Sequence, residues 1–282
     1  MKQLMGTEGV RLDGSTPDEI RLDMDFTRDD INDVINLSPP DDNVWSWRTQ
    51  NPKVLVYRAF SFNPHSKYFK DVGDKREKLE VQDRIRRIMK DLDKSAMNYP
   101  KFLYMIDKSI DKFDALGKDL SKSTNLSIVP MPSKSQLNNL IIQRIQRKFK
   151  NILSYDLFKK AITDDVVLNM DKINNEMWAR TNKEKIVRYF NSMKKANQGN
   201  PYEVKFVNTG FRRYITNFLI FKDDPSKKIF KDLINGNILF VDDTIGNGNT
   251  LKDMIRLIRS CEFYPELILC YAFLNDFSKV IK

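Results

Sequence analysis

Four consecutive apolar residues near the carboxyl end of the chain are followed by a polar loop and an amphipathic stretch. The run ILFV, residues 238–241, is too short for an independent helix and too continuous for a strand with one exposed face, so it predicts a buried parallel strand. After the loop, apolar residues recur at helical spacing, and they are Leu251, Met254, Ile255 and Ile258. This order predicts a strand, a loop at its carboxyl end and a helix that packs on the sheet.

The same order occurs earlier in the chain. Leu126, Ile128 and Val129 predict a short strand, and PMPSKSQ (130–136) predicts a loop. The helix that should follow has an apolar stripe of Leu137, Leu140, Ile141, Ile145 and Phe149. Because proline cannot donate a hydrogen bond to a strand ladder, the strand should end near the two prolines of this loop. Ser133, Lys134 and Ser135 are then expected at the carboxyl edge of the sheet.

Further apolar runs predict the rest of an α/β domain. Three runs have strand composition and give the core at least four strands: SYDLFKKAI (154–162), YITNFLIF (214–221) and ELILCYAFLND (266–276). Helical spacing occurs near 77–93, near 100–117 and over 183–195. KVLVYRAFSF (53–62) predicts an added edge strand or one member of a hairpin. We expect a parallel sheet flanked by helices, with an N-terminal α+β extension.

Charge is unevenly distributed over the 282 residues, whose formal net charge is +10. Residues 1–50 contain 5 Lys and Arg against 11 Asp and Glu, and the remainder contains 43 against 27. Gly, Pro and Asp clusters such as SPPDD predict that 1–50 is an acidic, irregular arm. We assign 51–120 to the N-terminal extension, a hood with helices, and 121–282 to the core. A basic body suits polyphosphate substrates or nucleic acid, although solvated surface positions account for much of this charge.

Cysteine and histidine content excludes several classes of site. Cys261, expected near a helix end, and Cys270, within an apolar run, are the only cysteines, so neither a disulfide framework nor a zinc set is expected. His65 is the only histidine and lies in a polar stretch without metal-ligand spacing. The start MKQLMGTEGVRLDG lacks the apolar region of a signal peptide, and no run approaches the length of a membrane span. We therefore expect a soluble protein of the reducing cytoplasm.

Two adjacent carboxylates and a glycine-containing loop follow the ILFV run. Asp242 and Asp243 stand at the carboxyl end of the predicted strand, where open α/β sheets bind ligands. In the loop Thr244–Thr250, Gly246 and Gly248 allow close approach of the backbone, and N–H groups near a helix N-terminus favour an anion. Carboxylates repel a bare phosphate but accept hydrogen bonds from hydroxyl groups. The combination predicts a sugar-phosphate site, with hydroxyls on the acids and phosphate on the loop.

Two other phosphate-binding motifs do not fit these residues. A Walker-type loop requires a lysine after its last glycine, and Gly248 is followed by Asn249. A dinucleotide-binding fingerprint requires a third glycine, and Leu251 stands at the corresponding position. A polar turn between strand and helix, without any ligand, is the alternative interpretation.

The segment LFVDDTIGNGNT resembles the phosphoribosyl-pyrophosphate-binding motif of the type I phosphoribosyltransferases, in which an apolar strand precedes an acidic pair and a short Thr/Gly-rich loop. The matching positions are Leu239, Phe240, Val241, Asp242, Asp243, Ile245, Gly248 and Thr250. Thr244 stands where an aliphatic residue is usual, and Gly246 and Asn247 stand where small hydroxyl residues are common. The earlier segment IVPMPSKSQLNNL is similar to the pyrophosphate-binding element of competence-associated phosphoribosyltransferases.

This resemblance implies a glycosyltransferase of nucleotide metabolism that transfers the phosphoribosyl group of phosphoribosyl pyrophosphate to a nitrogenous acceptor and releases pyrophosphate. Asp242 and Asp243 would be the catalytic acids that contact the ribose hydroxyls. Mg²⁺ would be the cofactor, bound through the substrate and close to these acids. Lys134 would contact the pyrophosphate. The implied substrate-binding residues are Thr244, Ile245, Gly246, Asn247, Gly248, Asn249, Thr250, Ser133, Lys134 and Ser135.

Members of the resembled family also have a mobile loop over the reaction centre, which would lie in the polar segment 165–205. Lys172, Arg180 and Lys183 are its candidates for contact with the donor, and nothing in their spacing distinguishes them. Trp178 is expected to pack locally, with nucleobase stacking as the alternative. Outside this segment, Arg212 and Arg213 are candidates for a phosphate contact or a structural role.

Other functions are compatible with the same fold. The altered loop permits a catalytically inactive sensor of a phosphoribosyl compound. A nucleic-acid or protein interaction module, related to phages or to DNA uptake, is a further alternative, because the basic body permits nonspecific contact with nucleic acid. The sequence leaves open the acceptor base and whether the chain forms a homodimer.

Overall fold

The computed structural model describes residues 35–37, 44–47, 53–62, 75–94, 97–116, 126–149, 152–203, 206–207, 210–233, 237–245, 249–262 and 267–275. These residues include eleven strands: β1 (Ile35–Leu37), β2 (Val44–Trp47), β3 (Lys53–Phe62), β4 (Leu126–Pro130), β5 (Leu153–Ser154), β6 (Phe158–Lys160), β7 (Val167–Leu168), β8 (Ile215–Thr216), β9 (Leu219–Phe221), β10 (Asn237–Ile245) and β11 (Leu267–Asn275). The α-helices are α1 (Lys75–Asp91), α2 (Tyr99–Leu116), α3 (Gln136–Lys148), α4 (Met170–Asn175), α5 (Met177–Thr181), α6 (Lys183–Ala196), α7 (Asp224–Leu233) and α8 (Asn249–Ser260).

The chain divides into two compact units. Unit one comprises Met1–Asn36 and Asn63–Tyr104, and unit two comprises Leu37–Phe62 and Met105–Lys282. Unit one contains α1, whose Ile85 and Met89 are buried at helical spacing, and the beginning of α2. Both helices were predicted from their apolar stripes.

The main sheet has seven strands, in the order β1-β3-β11-β10-β4-β5, with β2 also paired to β3. Five strands, β3, β11, β10, β4 and β5, are parallel to one another in this order. β2 runs antiparallel to β3. Near-continuous apolar sequence in β10 and β11 fits strands covered on both faces, and residues 238–241 and 268–274 are buried throughout. The expected parallel sheet is therefore present.

Helices of unit two cover both faces of this sheet. Phe240 of β10 and Cys270 of β11 are neighbours in register and share a core cluster with Leu251 of α8. Because side chains alternate along a strand, Tyr271 lies on the opposite face. There its ring centroid is 5.5 Å from that of Phe113 of α2. The sheet is consequently flanked by helices, as predicted.

The order of connections creates a topological switch point between β4 and β10. From β4 the chain passes through α3 to β5, on one side of β4. From β10 it passes through α8 to β11, in the opposite direction along the sheet. Open α/β sheets bind ligands in the crevice at such a point, beyond the carboxyl ends of the strands. Both sequence segments that were predicted to bind phosphate groups follow these two strands.

Residues 155–236, between β5 and β10, form an inserted segment. The segment contains α4 to α7 and two small antiparallel sheets, β6-β9 and β7-β8. Phe158, Phe190 and Phe218 belong to the core cluster that includes α8. The helix predicted over 183–195 corresponds to α6, whereas the two strands predicted in this region differ from the observed elements.

The strand predicted at 154–162 is divided between two sheets. Near the start of this segment, Leu153 and Ser154 pair with β4 in the main sheet. Further along it, Phe158–Lys160 pair with β9 in a separate two-stranded sheet. The prediction that residues 214–221 form one strand of the core is also wrong. Asn217 interrupts this stretch with a left-handed backbone conformation (φ 61°), so β8 and β9 join different small sheets.

A buried carboxylate of α8 fixes this interruption. Asp253 is 4 % exposed and accepts hydrogen bonds from the N–H groups of Asn217 (3.1 Å) and Leu219 (2.8 Å). Arg256 also donates to Asp253, over 2.7 Å. The turn between β8 and β9 is therefore attached to the core through α8.

The N-terminal region agrees with the prediction only in part. β3 pairs antiparallel with the preceding strand β2, as the predicted member of a hairpin, and its parallel pairing with β11 makes it part of the main sheet. β1 and β2 lie within 1–50, which was expected to be irregular. The remaining residues of that arm and His65 lie outside the described part of the chain.

Both cysteines are buried free thiols. Cys261 directly follows α8 and Cys270 lies within β11, in agreement with the predicted positions. Among the helices described, none combines the length and apolar character needed to cross a membrane.

Candidate functional site

β10 extends further than its apolar run. The sequence predicted that the strand ends at Val241, yet β10 continues to Ile245 and pairs with β11 along the way. The pairing of β4 with β10 ends earlier, where Pro130 stands opposite Val241. One further hydrogen bond, from the N–H of Met131 to the carbonyl of Val241 (3.0 Å), holds the first residue of the following loop. β4 ends at this point, whereas β10 continues alongside the loop that follows β4.

Asp242 and Asp243 lie on opposite faces of the sheet, because they are successive residues of a strand. Asp242 shares the face of Phe240 and Cys270 and is partly exposed. Asp243 lies on the other face and is only 4 % exposed. The sequence predicted that both carboxylates follow the strand at its carboxyl end and contact hydroxyl groups of one ligand. The structure places one of them on each side of β10.

Asp242 influences the pKa of the Cys270 thiol. Burial, and to a smaller extent the negative charge of Asp242, raise the pKa of the Cys270 thiol. The influence of Asp242 on Cys270 agrees with their common face of the sheet. Because the thiol stays protonated, Cys270 has no thiolate character and is not a candidate nucleophile.

Ser133 joins the two candidate segments. Its Oγ donates a hydrogen bond to Oδ2 of Asp243 over 3.1 Å, although 110 positions separate the two residues in sequence. The same Oγ accepts a hydrogen bond from the N–H of Ser135 over 3.1 Å. Ser135 is 5 % exposed and precedes the first residue of α3. The loop after β4 is thereby attached to the acidic end of β10.

Asn138 is a site residue that the sequence analysis missed. It is 3 % exposed and its Nδ2 donates to the carbonyl of Met131 over 3.2 Å. Met131 is therefore held through both of its backbone groups, one by β10 and one by α3. The Oδ1 of Asn138 is buried and has no hydrogen-bond partner within the described ranges. The available signal was a polar residue on the apolar stripe of α3, next to Leu137.

Lys134 lies between the two fixed serines but points into solvent. Its side chain is exposed, and it forms no hydrogen bond or ion pair with any residue that the structure describes. A lysine without an internal partner at a ligand-binding edge can contact an anion without first breaking an ion pair. The contact between Lys134 and pyrophosphate stays a prediction, with which this exposure is compatible.

The loop after β10 is described only at its two ends. Gly246, Asn247 and Gly248 lie outside the described residues, as do the side chains of Ile245 and Asn249. Thr244 is the partly exposed last-but-one residue of β10. α8 begins at Asn249, so Asn249 and Thr250 belong to its first turn rather than to the predicted loop. The N–H groups of a first helical turn lack intrahelical acceptors and are suited to bind an anion.

Arg58 is a second residue that the sequence analysis missed. β3 pairs Arg58 with Ala272, and β11 pairs Ala272 with Asp242, so the three residues form one row across the sheet. Residues of one row project to the same face, and two strand spacings separate Arg58 from Asp242 by roughly 10 Å. The available signal was an arginine in the interior of the strand run KVLVYRAFSF.

Lys172, predicted for a mobile loop, and the two arginines predicted outside that loop have local partners in the inserted segment. Lys172 and Arg213 approach Glu176, with N–O distances of 4.0 and 3.1 Å. Arg212 donates to the carbonyl of Val207 over 2.8 Å. These contacts support a structural role for the two arginines. Arg180 and Lys183 are exposed.

A dedicated metal cage is not found in the described part of the chain, where no group of three or more His, Cys, Asp or Glu side chains could hold an ion. Mg²⁺ usually keeps several waters and binds one or two carboxylates together with substrate phosphates. Asp242 provides one partly exposed carboxylate at the ligand edge. The residues therefore fit an ion that arrives with a polyphosphate.

These elements define an α/β protein with a parallel sheet flanked by helices, whose polar residues gather at a topological switch point. No protein-family model matches the chain, and no curated protein matches it in sequence. The residues at the switch point are therefore the basis for a functional hypothesis.

Proposed function

We propose that the chain binds phosphoribosyl pyrophosphate with Mg²⁺ and transfers the phosphoribosyl group to a nitrogenous acceptor. The observation that carries this proposal is the hydrogen bond from Ser133 to Asp243. It joins the two segments that resemble the donor-binding elements of type I phosphoribosyltransferases. They meet at the switch point of the sheet, where a ligand is expected on general grounds.

Asp242 is the carboxylate that would accept hydrogen bonds from the ribose hydroxyls. It is partly exposed at the carboxyl edge, whereas Asp243 is buried and already accepts a hydrogen bond from Ser133. Asp243 would therefore act mainly as a positioning residue for the loop after β4. As C1 of the ribose gains positive charge in the transition state, the negative charge of Asp242 would stabilise it.

The anionic groups of the donor would bind on either side of the ribose. Lys134 would contact the pyrophosphate group, because its ammonium lies beside Ser133 in the loop and is exposed. The loop Gly246–Thr250 would hold the 5′-phosphate, helped by the N–H groups in the first turn of α8. Mg²⁺ bound to the pyrophosphate would neutralise the leaving group, and Asp242 would be the side chain that contacts the ion.

The reaction needs no covalent bond between protein and substrate. A nitrogen lone pair of the acceptor forms the bond to C1, and the C1–O bond to pyrophosphate breaks, with its electron pair passing to the leaving oxygen. The configuration at C1 inverts, and the proton of the acceptor nitrogen passes to solvent or to the released pyrophosphate. The residues named here contribute alignment and charge stabilisation.

Calorimetry with phosphoribosyl pyrophosphate and Mg²⁺ tests the site. We expect Asp242→Asn to weaken binding by about tenfold or more, since a charge-assisted hydrogen bond is lost. Asp243→Asn should have a smaller effect, through the loop. Asp165→Asn is the matched control, because Asp165 is exposed in the inserted segment and should leave the affinity unchanged. Equal affinity of all four proteins would refute the site assignment.

Release of pyrophosphate, measured with a panel of nucleobases and amines, distinguishes an enzyme from a sensor. Turnover with any acceptor, lost in Asp242→Asn, would support the transferase. Saturable binding of the donor without pyrophosphate release from any acceptor in the panel would support the sensor and contradict the proposed reaction.

A further inference from the structure

Trp178 leaves half of its surface in solvent. Its side chain is 50 % exposed, and the adjacent Met177 is 72 % exposed. Met170, at the start of α4, is also exposed, at 36 %. Single exposed apolar residues are common, but large apolar side chains clustered in one short segment are typical of an interaction surface. The prediction that Trp178 packs locally is therefore correct only for part of the indole.

One side of Trp178 is nevertheless held by other aromatic rings. Its ring centroid lies 6.4 Å from that of Phe211, with 30° between the ring planes. Phe211 in turn contacts Tyr189 edge-on, at 4.9 Å. The adjacent Ala179 is fully buried and anchors α5. The indole is thus oriented before a partner binds, which lowers the entropic cost of stacking against it.

The surroundings of Trp178 are basic. Residues 170–188 and 212–213 contain seven Lys and Arg against three Asp and Glu. Arg180 and Lys185 are exposed and form no ion pair within the part of the chain that is described. Lys183 is exposed and contacts a neutral asparagine amide. Arg180 lies on α5 with Trp178, and Lys183 and Lys185 lie in the first turn of α6, so all three cations are close to Trp178 in sequence and available to an anionic partner.

We propose that this surface, formed by Met177, Trp178, Arg180, Lys183 and Lys185, binds single-stranded nucleic acid. A base would stack on the indole, and the phosphates on either side would contact the basic side chains. Combinations of an aromatic platform with flanking cations bind single strands in this way, because every base has a π face and every linkage carries a negative charge. The excess of basic over acidic residues beyond residue 50, 43 against 27, is complementary to such a polyanion.

An anionic lipid surface is the competing partner for a tryptophan among lysines. An interfacial helix needs a continuous apolar face, however, and α4 and α5 have only six and five residues. Asn174 and Asn175 are also exposed beside Trp178, and their amides match the hydrogen-bonding edges of bases rather than lipid chains. These features favour nucleic acid.

Fluorescence anisotropy with a labelled 12-nucleotide single strand at low salt tests the proposal on the full-length chain. We expect saturable binding that Trp178→Ala weakens about tenfold and that Trp178→Phe largely retains. The double variant Arg180→Gln/Lys185→Gln should reduce the slope of log K against log salt by roughly 1.4, the value for two phosphate contacts on a single strand. Phosphoribosyl pyrophosphate should not compete with the oligonucleotide, because its proposed site is a different one. Absence of oligonucleotide binding would therefore contradict this proposal without contradicting the proposed transferase function.

Tyr104→Ala is the matched control, because Tyr104 is 60 % exposed on α2 and its removal should leave binding unchanged. Circular dichroism of each variant establishes that it remains folded. Wild-type affinity in Trp178→Ala would overturn the stacking site and leave nonspecific charge as the cause of binding.

Vesicles that contain phosphatidylserine provide the other comparison. Binding to vesicles through Trp178, without binding to the oligonucleotide, would overturn the proposal in favour of a lipid surface.

Discussion

The hydroxyl of Ser133 donates a hydrogen bond to the carboxylate of Asp243, and this contact attaches the loop after β4 to the end of β10. Asp243 is almost fully buried, so its charge depends on nearby donors for stabilisation. The backbone of the same loop is held at Met131, by β10 and by Asn138. This edge of the sheet is therefore held in place by several contacts, and Lys134 is an exposed, charged residue within it.

Replacement of Ser133 by alanine should loosen this edge. The change removes one donor to Asp243 and the acceptor of the Ser135 N–H group, and we expect a loss of about 1–2 kcal/mol in the free energy of unfolding. Urea denaturation measures this loss. Ser192→Ala is the control, because Ser192 is exposed on α6 and its replacement should have little effect. If Ser133→Ala is as stable as that control, the hydrogen bond to Asp243 does not fix the loop.

Local sequence was sufficient to predict the units that carry the candidate site. β4 with α3, and β10 with α8, follow from apolar periodicity and from the prolines and glycines between them. β11 and α6 follow in the same way. Ser133 and Asp243 were both identified as site residues, because polar residues directly after buried strands lie at the ligand edge.

The remaining features depend on contacts between distant residues. β10 continues beyond Val241 because β11 offers it a partner, and this extension places Asp242 and Asp243 on opposite faces. The strand predicted at 214–221 is broken at Asn217 because Asp253, 36 positions away, binds its N–H group. Periodicity within a segment contains no information about these partners. For the same reason the sequence did not predict that Arg58 shares one row of the sheet with Asp242.

Asp253→Asn should release the turn between β8 and β9 from α8. The amide retains one acceptor oxygen but cannot bind both backbone N–H groups and Arg256 equally well, so we expect a loss of about 2 kcal/mol in the free energy of unfolding. Hydrogen exchange should accelerate at the amides of Asn217 and Leu219. The exposed Asp165→Asn serves as the comparison and should change neither quantity. Unchanged exchange at both amides in Asp253→Asn would contradict this role.

Alkaline pH should destabilise the fold partly through Tyr202. Burial, chiefly, raises the pKa of Tyr202 from 10.0 to about 12, with a partial offset from the positive charge of Arg212. The folded state favours the neutral phenol, so this contribution to stability is complete below pH 10 and is lost as the pH rises towards 12. In Tyr202→Phe, the decline in unfolding free energy over this interval should be smaller by on the order of 2 kcal/mol.

Urea titrations at several pH values between 9 and about 12 measure that difference. Tyr104→Phe, a change at an exposed position, should follow the wild-type profile. Parallel declines for the wild type and Tyr202→Phe would show that Tyr202 does not titrate in this interval. Near pH 7 the Tyr202→Phe variant should be almost as stable as the wild type, because no hydrogen bond of the Tyr202 hydroxyl is present among the described residues.

Arg58 should contribute to ligand binding if the site is as proposed. Arg58, Ala272 and Asp242 form one row on one face of the sheet, so a guanidinium and a carboxylate flank the position of a small residue. A ligand that places hydroxyls on Asp242 and an anionic group towards β3 would contact both. We expect Arg58→Gln to weaken the binding of phosphoribosyl pyrophosphate by about tenfold, and Arg58→Lys to restore part of the affinity.

The competing explanation is that Arg58 only balances the charge of Asp242 within the fold. Arg58→Gln would then lower the free energy of unfolding while the affinity, measured by calorimetry on the folded fraction, stays the same or increases. The double variant Arg58→Gln/Asp242→Asn separates the two explanations. If Arg58 serves only Asp242, the double variant should bind as Asp242→Asn does. If Arg58 contacts the ligand itself, the double variant should bind more weakly than either single variant, because two independent contacts have been removed.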